Sequence, residues 1–185
     1  WEMGANVAAY KNKITALPDG DYTTTIYGAN VLTSVGRAAG VFYGYETDGA
    51  YATQQEAEEA GLTLVSTTGE VTPFAAGDMK FVDHVQDGII NEKDMVVIGN
   101  PNPDVYGNLY SNLSYKRLSL NMNFNYSFGN DIYNYQRSQL ESGSQFFNQT
   151  TALNRRWIAE GHHTDIPKAT FGDPMGNSRF SDRWI

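Results

Sequence analysis

The chain has 185 residues and carries 13 Lys and Arg against 21 Asp and Glu, for a net charge of −8 at pH 7. This acidic balance argues against a nucleic-acid partner, because proteins that read phosphate concentrate positive charge. The absence of cysteine excludes disulfides, thiolate metal sites and a cysteine nucleophile. No apolar run of 18 residues is present, which excludes a helical membrane span but not a membrane β-barrel, whose strands alternate in polarity.

Short β-type segments dominate the first part of the chain. Apolar and polar residues alternate over residues 1–10, which predicts a strand with one apolar face. Residues 17–21 contain Pro-Asp-Gly and predict a turn. Residues 22–26 and 31–35 are two further β-type runs, which we expect to be separated by a Gly-Ala-Asn turn.

Residues 40–51 are rich in glycine and aromatic side chains, and we expect them to be extended or tightly turned. Aromatic side chains in a long loop can stack on a sugar or pack on a partner protein. They can equally form the core of the loop itself. The candidates for partner contact are Phe42, Tyr43 and Tyr45.

A short helix is predicted to follow Thr53. Thr53 is a suitable N-cap, and Glu56 three residues later completes a capping box. Gly61 is placed to end the helix.

Residues 83–94 have the frame of a calcium-binding loop of the EF-hand type. Acidic residues occupy positions 1, 5 and 12 of the loop, and Gly88 occupies position 6, where the chain must turn sharply. Position 3 is Val85, which removes one side-chain oxygen from the pattern. The stretch is therefore either a calcium site or a rigid turn without an ion. The candidate ligands are Asp83, Asp87, the Ile89 carbonyl, Asn91 and Asp94.

The strongest strand signal lies between residues 105 and 128. Residues 118–128 alternate throughout, with Asn and Ser on one side, and eleven residues suit a tilted transmembrane strand. Residues 105–115 are in phase more weakly, because Gly107 and Ser111 share the apolar side. Only Lys116-Arg117 connects the two strands. The hairpin is predicted to lie in a membrane; a hairpin of a soluble β-sandwich is the alternative. The predicted lipid-facing residues are Leu118, Leu120, Met122, Phe124, Tyr126 and Phe128.

The remaining segment offers little chemistry. Residues 133–141 and 150–157 are helix candidates. His162-His163 with Asp165 resembles a metal motif, but adjacent side chains of a strand point to opposite sides, so exposed loop residues are expected instead. No nucleophile elbow, phosphate-binding loop or HExxH motif occurs, and we expect no enzymatic activity.

Motifs along nearly the whole chain resemble, in the same order, the C-terminal part of SusC/RagA-type TonB-linked outer-membrane transporters of Bacteroidetes. The central ones are GDMKFVD at 77–83, the Asp-Gly at 87–88 and VIGNPNPD at 97–104. The others are FYGYETDG at 42–49, LSYK at 113–116, GNDIYN at 129–134, RW at 156–157, TDIP at 164–167 and SRFSDRWI at 178–185.

The resemblance implies a mainly β fold, namely antiparallel strands of a TonB-dependent outer-membrane β-barrel with long, partly helical extracellular loops. Residues 1–185 would then be part of the C-terminal barrel domain of a larger polypeptide, without its N-terminal plug domain. The predicted barrel strands are residues 1–10, 105–115 and 118–128. The predicted extracellular loops are residues 11–104 and 129–185.

The resemblance also implies function and partners. The whole protein would import oligosaccharides or peptides together with a SusD-like surface lipoprotein, and would contact TonB through the missing N-terminal part and lipid through its barrel. The residues that bind the substrate cannot be assigned from this sequence. The alternative is a secreted calcium-dependent carbohydrate-binding or adhesive β module, which would use residues 83–94 and no membrane strands.

Overall fold

The computed structural model describes residues 1–65 and 70–185, and these residues form mainly antiparallel β-structure. The strands are β1 (Glu2–Ala8), β2 (Tyr22–Ile26), β3 (Ala29–Thr33), β4 (Val41–Gly44), β5 (Thr47–Ala50), β6 (Thr63–Val65), β7 (Val71–Pro73), β8 (Met79–Phe81), β9 (Ile89–Ile90), β10 (Val96–Gly99), β11 (Val105–Tyr115) and β12 (Leu118–Phe128). The α-helices are α1 (Gln54–Ala60) and α2 (Tyr135–Leu140). Short 3₁₀ helices span Glu92–Asp94, Thr151–Arg155 and Asp182–Trp184.

A three-stranded antiparallel sheet in the order β1-β11-β12 contains the longest strands. Its hairpin confirms the predicted strands 105–115 and 118–128, with a two-residue turn at Lys116-Arg117. The strand predicted at residues 1–10 is confirmed over Glu2–Ala8, and it pairs with β11 from Glu2↔Asn112 to Ala8↔Tyr106. Because pairing is regular along both ladders, alternate residues of all three strands lie on the same face of the sheet.

Two glycines make room for tyrosine rings that cross this sheet. A Cβ at Gly107 would lie 2.5 Å from the Tyr126 hydroxyl, which instead passes over the glycine and donates to the Asn6 carbonyl at 3.0 Å. On the opposite face, a Cβ at Gly4 would lie 2.5 Å from the Tyr110 ring. The polarity alternation of β11 is therefore weak at Gly107 because the Tyr126 side chain of the neighbouring strand occupies the space above this glycine.

The nine shorter strands form three smaller sheets, in the orders β10-β4-β3-β2, β5-β8 and β7-β6-β9. Helix α1 confirms the predicted caps. Thr53 accepts from the Glu56 N–H at 3.1 Å, and Gly61 adopts φ +64° at the C-terminus. Glu56 reaches the Ala52 N–H at 2.7 Å rather than that of the N-cap residue, so the capping box is displaced by one residue.

The hairpin of β2 and β3 turns at a different place from the prediction. The turn is formed by Tyr27 and Gly28, with φ of +49° and +86°, and β3 begins at Ala29. The sequence indicated a turn over Gly-Ala-Asn and a strand over 31–35. The two positive φ values match a type I′ turn, whose twist suits a two-residue hairpin.

The two predicted loop excursions, residues 11–104 and 129–185, pack together. Trp184 and Phe180 from the second join Phe42 and Ala29 from the first in one buried cluster. Elsewhere the Trp157 indole donates to the Ala52 carbonyl at 3.0 Å. The excursions thus share a core, and together they are termed the loop unit.

A buried polar network also joins the two excursions. Asp78, which is 1% exposed, pairs with Lys168 at 3.1 Å and accepts from the Asn177 amide at 2.9 Å. The Asn177 side-chain oxygen in turn accepts from the Met79 N–H at 2.8 Å. Because a buried carboxylate is costly unless it is paired, this network requires the segment after residue 160 to be in place.

The helix candidates of the second excursion are confirmed only in part. Residues 133–141 contain α2 over Tyr135–Leu140, and residues 150–157 contain a 3₁₀ helix over Thr151–Arg155. Along the described residues no helix has the length and apolar character needed to cross a membrane. The sheets formed by these residues are open, and none closes into a barrel.

Candidate functional sites

The three-stranded sheet carries an exposed apolar face. Its register aligns the predicted lipid-facing residues of β12 with β11, as in Phe124 with Leu109 and Leu120 with Leu113. Five of the six are exposed, up to 75% for Leu118, and Tyr126 is half-buried. The same face includes Trp1, Met3 and Val7 next to β11. An apolar surface of this extent requires a covering phase or partner.

The opposite face of this sheet is polar and carries only one charged side chain within β1, β11 and β12, that of Glu2. Asn108 donates to the Asn125 side chain at 3.0 Å and also contacts Asn123. Such amide pairs satisfy one another across neighbouring strands. The sheet is therefore two-sided, apolar on one face and hydrogen-bonding on the other.

The 83–94 loop closes on its own main chain. Asp83 accepts from the N–H groups of Gln86 at 2.6 Å and Gly88 at 2.8 Å. Burial acts to raise the pKa of Asp83, but the hydrogen bonds, first of all that from Gly88, outweigh it and hold the pKa below its usual value. At the other end Asp94, which is fully buried, accepts from the N–H groups of Val85 and Asn91.

The remaining candidate ligands of the loop contact one another. The Asn91 amide donates to the Ile89 carbonyl at 3.1 Å, which is the carbonyl that the calcium pattern assigns to the ion. The Asn91 oxygen accepts from the Lys93 N–H, and Asp87 accepts from the Ile89 N–H. Within residues 1–65 and 70–185, no three acidic or histidine side chains converge as metal ligands would. This arrangement fits a rigid turn, and the calcium site stays a prediction.

The three aromatic residues proposed for partner contact lie in different environments. Phe42 is 9% exposed and packs edge-on against Phe180, with ring centroids 6.2 Å apart. It belongs to the core of the loop unit, which is the alternative that the sequence left open. Tyr43 is half-buried in β4 and pairs with Val97 of β10.

Tyr45 lies against the half-buried side chain of Arg179. The Arg179 guanidinium is 4.9 Å from the Tyr45 ring and 4.8 Å from the Phe81 ring, and it donates to the carbonyls of Gly176 and Met175. Burial raises the pKa of Tyr45 and lowers that of Arg179. Tyr45 therefore helps to enclose Arg179 and is only partly available to a partner.

His162, His163 and Asp165 form no metal group. His163 and Asp165 are exposed, as expected for loop residues, while His162 is half-buried. Its Nδ1 atom is buried without a hydrogen-bond partner in the described part of the chain.

Arg137 and Arg183 line a groove on the loop unit that no sequence motif indicates. Both guanidinium groups lie over the Trp184 ring, at 6.0 and 4.6 Å from its centroid. Arg137 also pairs with Glu141 at 3.1 Å. Helix α2 and the residues around 183 are adjacent only in the fold, so spacing in the sequence does not indicate this site.

The chain matches no family model. It is similar to TonB-dependent receptor P3 of Formosa agariphila, with 32% identity over 187 residues, covering 97% of this chain and 18% of that protein. It is also similar to TonB-dependent receptor P26 of the same organism, with 29% identity over 174 residues, covering 91% of this chain and 17% of that protein. The chain thus spans less than a fifth of the length of these relatives. Both matches support its assignment as part of a TonB-dependent receptor.

Proposed function

We propose that this chain is part of the C-terminal barrel domain of a SusC/RagA-type TonB-dependent transporter in the outer membrane. The whole protein would import oligosaccharides or peptides, without catalysis, together with a SusD-like surface lipoprotein. The observation that carries the proposal is the two-sided sheet of β1, β11 and β12, whose apolar face is exposed at every predicted lipid-facing position of β12 except the half-buried Tyr126. Similarity to two TonB-dependent receptors supports it.

The strand length suits a bilayer. At about 3.3 Å per residue, eleven residues extend about 36 Å. A tilt of roughly 40°, usual for membrane barrels, leaves about 28 Å along the membrane normal, close to the height of the apolar band of such barrels. The outward face would then contact lipid, and the Asn- and Ser-rich face would line a polar interior.

The two ends of the sheet suit an outer-membrane orientation. At one end β11 and β12 are joined by Lys116-Arg117 alone, while at the other end both strands lead into the loop unit. Short turns on the periplasmic side and long loops outside are typical of these barrels. The loop unit would therefore be extracellular, where a surface lipoprotein could contact it.

The free edges of the sheet require further strands. β1 and β12 each pair on one side only, and an unpaired edge in lipid leaves backbone groups unsatisfied at several kcal/mol each. Neighbouring strands, the plug and the contact with TonB would come from the rest of the receptor. The alternative of a secreted calcium-dependent module is not favoured, because its loop closes on main-chain N–H groups and both relatives are receptors.

Fractionation and growth test this proposal. The full-length receptor should be found in the outer-membrane fraction and should co-purify with a surface lipoprotein. Its deletion should abolish growth on one oligosaccharide or peptide, and deletion of tonB should do the same. A receptor in the culture supernatant, or unchanged growth on every candidate nutrient, would contradict the proposal.

A further inference from the structure

Strand β2 is an open edge of the loop unit. It lies at one end of the sheet β10-β4-β3-β2 and pairs with β3 alone. All five of its residues are exposed, including Tyr22 at 54% and Ile26 at 51%. At the opposite edge of the same sheet, β10 is half-buried throughout. Surrounding residues therefore shield β10, whereas the outer side of β2 is accessible to another strand.

The register of the hairpin shows which main-chain groups of β2 face outward. Because its turn has two residues, the flanking pair Ile26 and Ala29 is hydrogen-bonded. Such pairs alternate along an antiparallel ladder, so the N–H and C=O groups of Thr23 and Thr25 point away from β3. No described residue outside β3 forms a backbone hydrogen bond with β2. Each of the two threonines thus offers one free donor and one free acceptor.

The hairpin lacks the features that protect open sheet edges in other proteins. Such edges usually carry lysine, proline or a bulge, because an unprotected edge pairs with other strands. Residues 22–36 contain neither a charged residue nor proline, although charged residues make up 18% of the chain. The pairing of β2 with β3 is free of bulges, and its Tyr, Thr and Ile residues favour strands. This edge is therefore suited to pairing and is expected to be covered in the complete protein.

We propose that an extended segment of the same receptor, from outside residues 1–185, pairs with β2 and adds a strand to the four-stranded sheet. Its main chain would bond to the outward N–H and C=O groups of Thr23 and Thr25. Aromatic or β-branched side chains suit the positions opposite Tyr22 and Ile26. The inference rests on the proposed function, since it requires the longer receptor.

The length of the edge decides the source of the added strand. With only two outward-facing residues, β2 provides too few contacts to hold a separate protein, because association costs translational and rotational freedom. A segment of the same polypeptide avoids most of this cost through its high effective concentration. More than four-fifths of each relative lies outside the matched region, so a receptor of that length contains enough chain to supply the segment.

Hydrogen exchange at single-residue resolution tests this pairing in the full-length receptor. The receptor is purified from cells without the surface lipoprotein and placed in lipid nanodiscs that hold one receptor each, so that no second protein can cover β2. We expect the Thr23 and Thr25 amides to exchange at least about 100-fold more slowly than those of an unstructured peptide. The Thr24 and Ile26 amides are the internal control, because β3 protects them whether or not the edge is covered.

A proline substitution tests whether main-chain pairing causes the protection. Thr23→Pro removes an outward N–H group without removing a hydrogen bond to β3, so the Thr25 amide should exchange at least about tenfold faster. The Thr24 amide should stay protected, which shows that the hairpin is intact. Thr23→Ala keeps the N–H group and should leave the exchange of the Thr25 amide unchanged.

Photo-crosslinking identifies the added segment. A photoreactive amino acid replaces Thr25, which is exposed beside the free edge, and mass spectrometry identifies the crosslinked peptide. We expect a peptide of the same polypeptide from outside residues 1–185. A crosslink confined to residues 1–185, or one to another protein, would overturn the proposal.

The outcomes separate the strand pairing from the proposed function. Unprotected Thr23 and Thr25 amides in the single-receptor nanodiscs would overturn the pairing, even if the lipoprotein or a second receptor restored protection. Equal exchange of the Thr25 amide in the Thr23→Pro variant and the unaltered receptor would also overturn it. The receptor would still fractionate with the outer membrane in those cases. A receptor absent from the outer membrane would instead overturn the proposed function.

Discussion

The three-stranded sheet and the loop unit obtain their order in different ways. The sheet has regular pairing along every strand, yet its side chains are exposed on both faces. The loop unit has short, irregular strands, yet it encloses two buried clusters and the Asp78 network. The loop unit thus has its own core, whereas the sheet has an exposed apolar face and two strand edges that pair with no other described strand.

The largest expected effect concerns the core of the loop unit. Trp184 is 1% exposed and packs with Phe42 and Phe180. Trp184→Ala should lower the free energy of unfolding of the loop unit by about 3–5 kcal/mol, through lost apolar contacts and the cavity left behind. Hydrogen exchange of the β4 and β10 amides in the full-length receptor measures it. Phe146→Ala, at an 88% exposed site, is the control and should change little. Equal protection in both variants would show that the Trp184 cluster does not stabilise the loop unit.

The next effect concerns the apolar face of the sheet. Met122→Arg should destabilise the full-length receptor by roughly 2–4 kcal/mol in bilayers, because it places a charge in lipid near the membrane midplane. Asn123→Arg, one residue further, points to the polar face and should be much milder. A folding titration in lipid vesicles compares the two variants. If both are tolerated equally, the hairpin does not lie in the membrane.

These two regions also differ in how far the sequence predicts them. The hairpin 105–128 is confirmed to the residue, because polarity with a period of two and a two-residue turn are local signals. The burial of Phe42 is not local, since it depends on Phe180 and Trp184 at the far end of the chain. The groove lined by Arg137 and Arg183 is likewise assembled from α2, β5 and residues around 183, so its residues carry no shared motif.

The turn between β2 and β3 was predicted at the wrong residues. Gly-Ala-Asn carries a strong turn signal, but the hairpin requires positive φ at two consecutive residues and takes Tyr27 and Gly28. A tyrosine at φ +49° is not indicated by propensity. Its ring lies 5.5 Å from that of Tyr135, so a contact with the second excursion contributes to the choice.

Partner binding distinguishes surface from core within the loop unit. Deleting residues 40–66 would remove Phe42, Tyr51 and Ala57 from the buried clusters, so loss of the partner would only report unfolding. Tyr43→Ala is the sharper change. We expect it to weaken the binding free energy of the lipoprotein by more than about 1 kcal/mol, the range of aromatic interface residues, and so to reduce co-purification. Hydrogen exchange of the loop unit should be unchanged. Unaltered co-purification would show that Tyr43 is not part of the docking surface.

The smallest effect is expected at the 83–94 loop. With Val85 in place, calcium should bind at best with a Kd of roughly 10⁻⁴–10⁻³ M, and Val85→Asn should tighten binding by adding a side-chain oxygen. Asp83→Asn in the Val85→Asn background is the control and should abolish the gain. Calorimetry on the purified receptor measures all three proteins. No heat for any of them would leave the loop as a turn closed by the N–H groups of Gly88 and Asn91.

The most direct test of the membrane assignment is nitroxide scanning along β12. Single cysteines at residues 118–128 of the full-length receptor in lipid vesicles, each spin-labelled, report collisions with oxygen dissolved in lipid and with a water-soluble nickel complex. We expect alternation with a period of two, in which labels at Leu120, Met122 and Phe124 collide more with oxygen and labels at Asn121, Asn123 and Asn125 collide more with nickel. High nickel accessibility at all eleven positions, or no alternation, would contradict it.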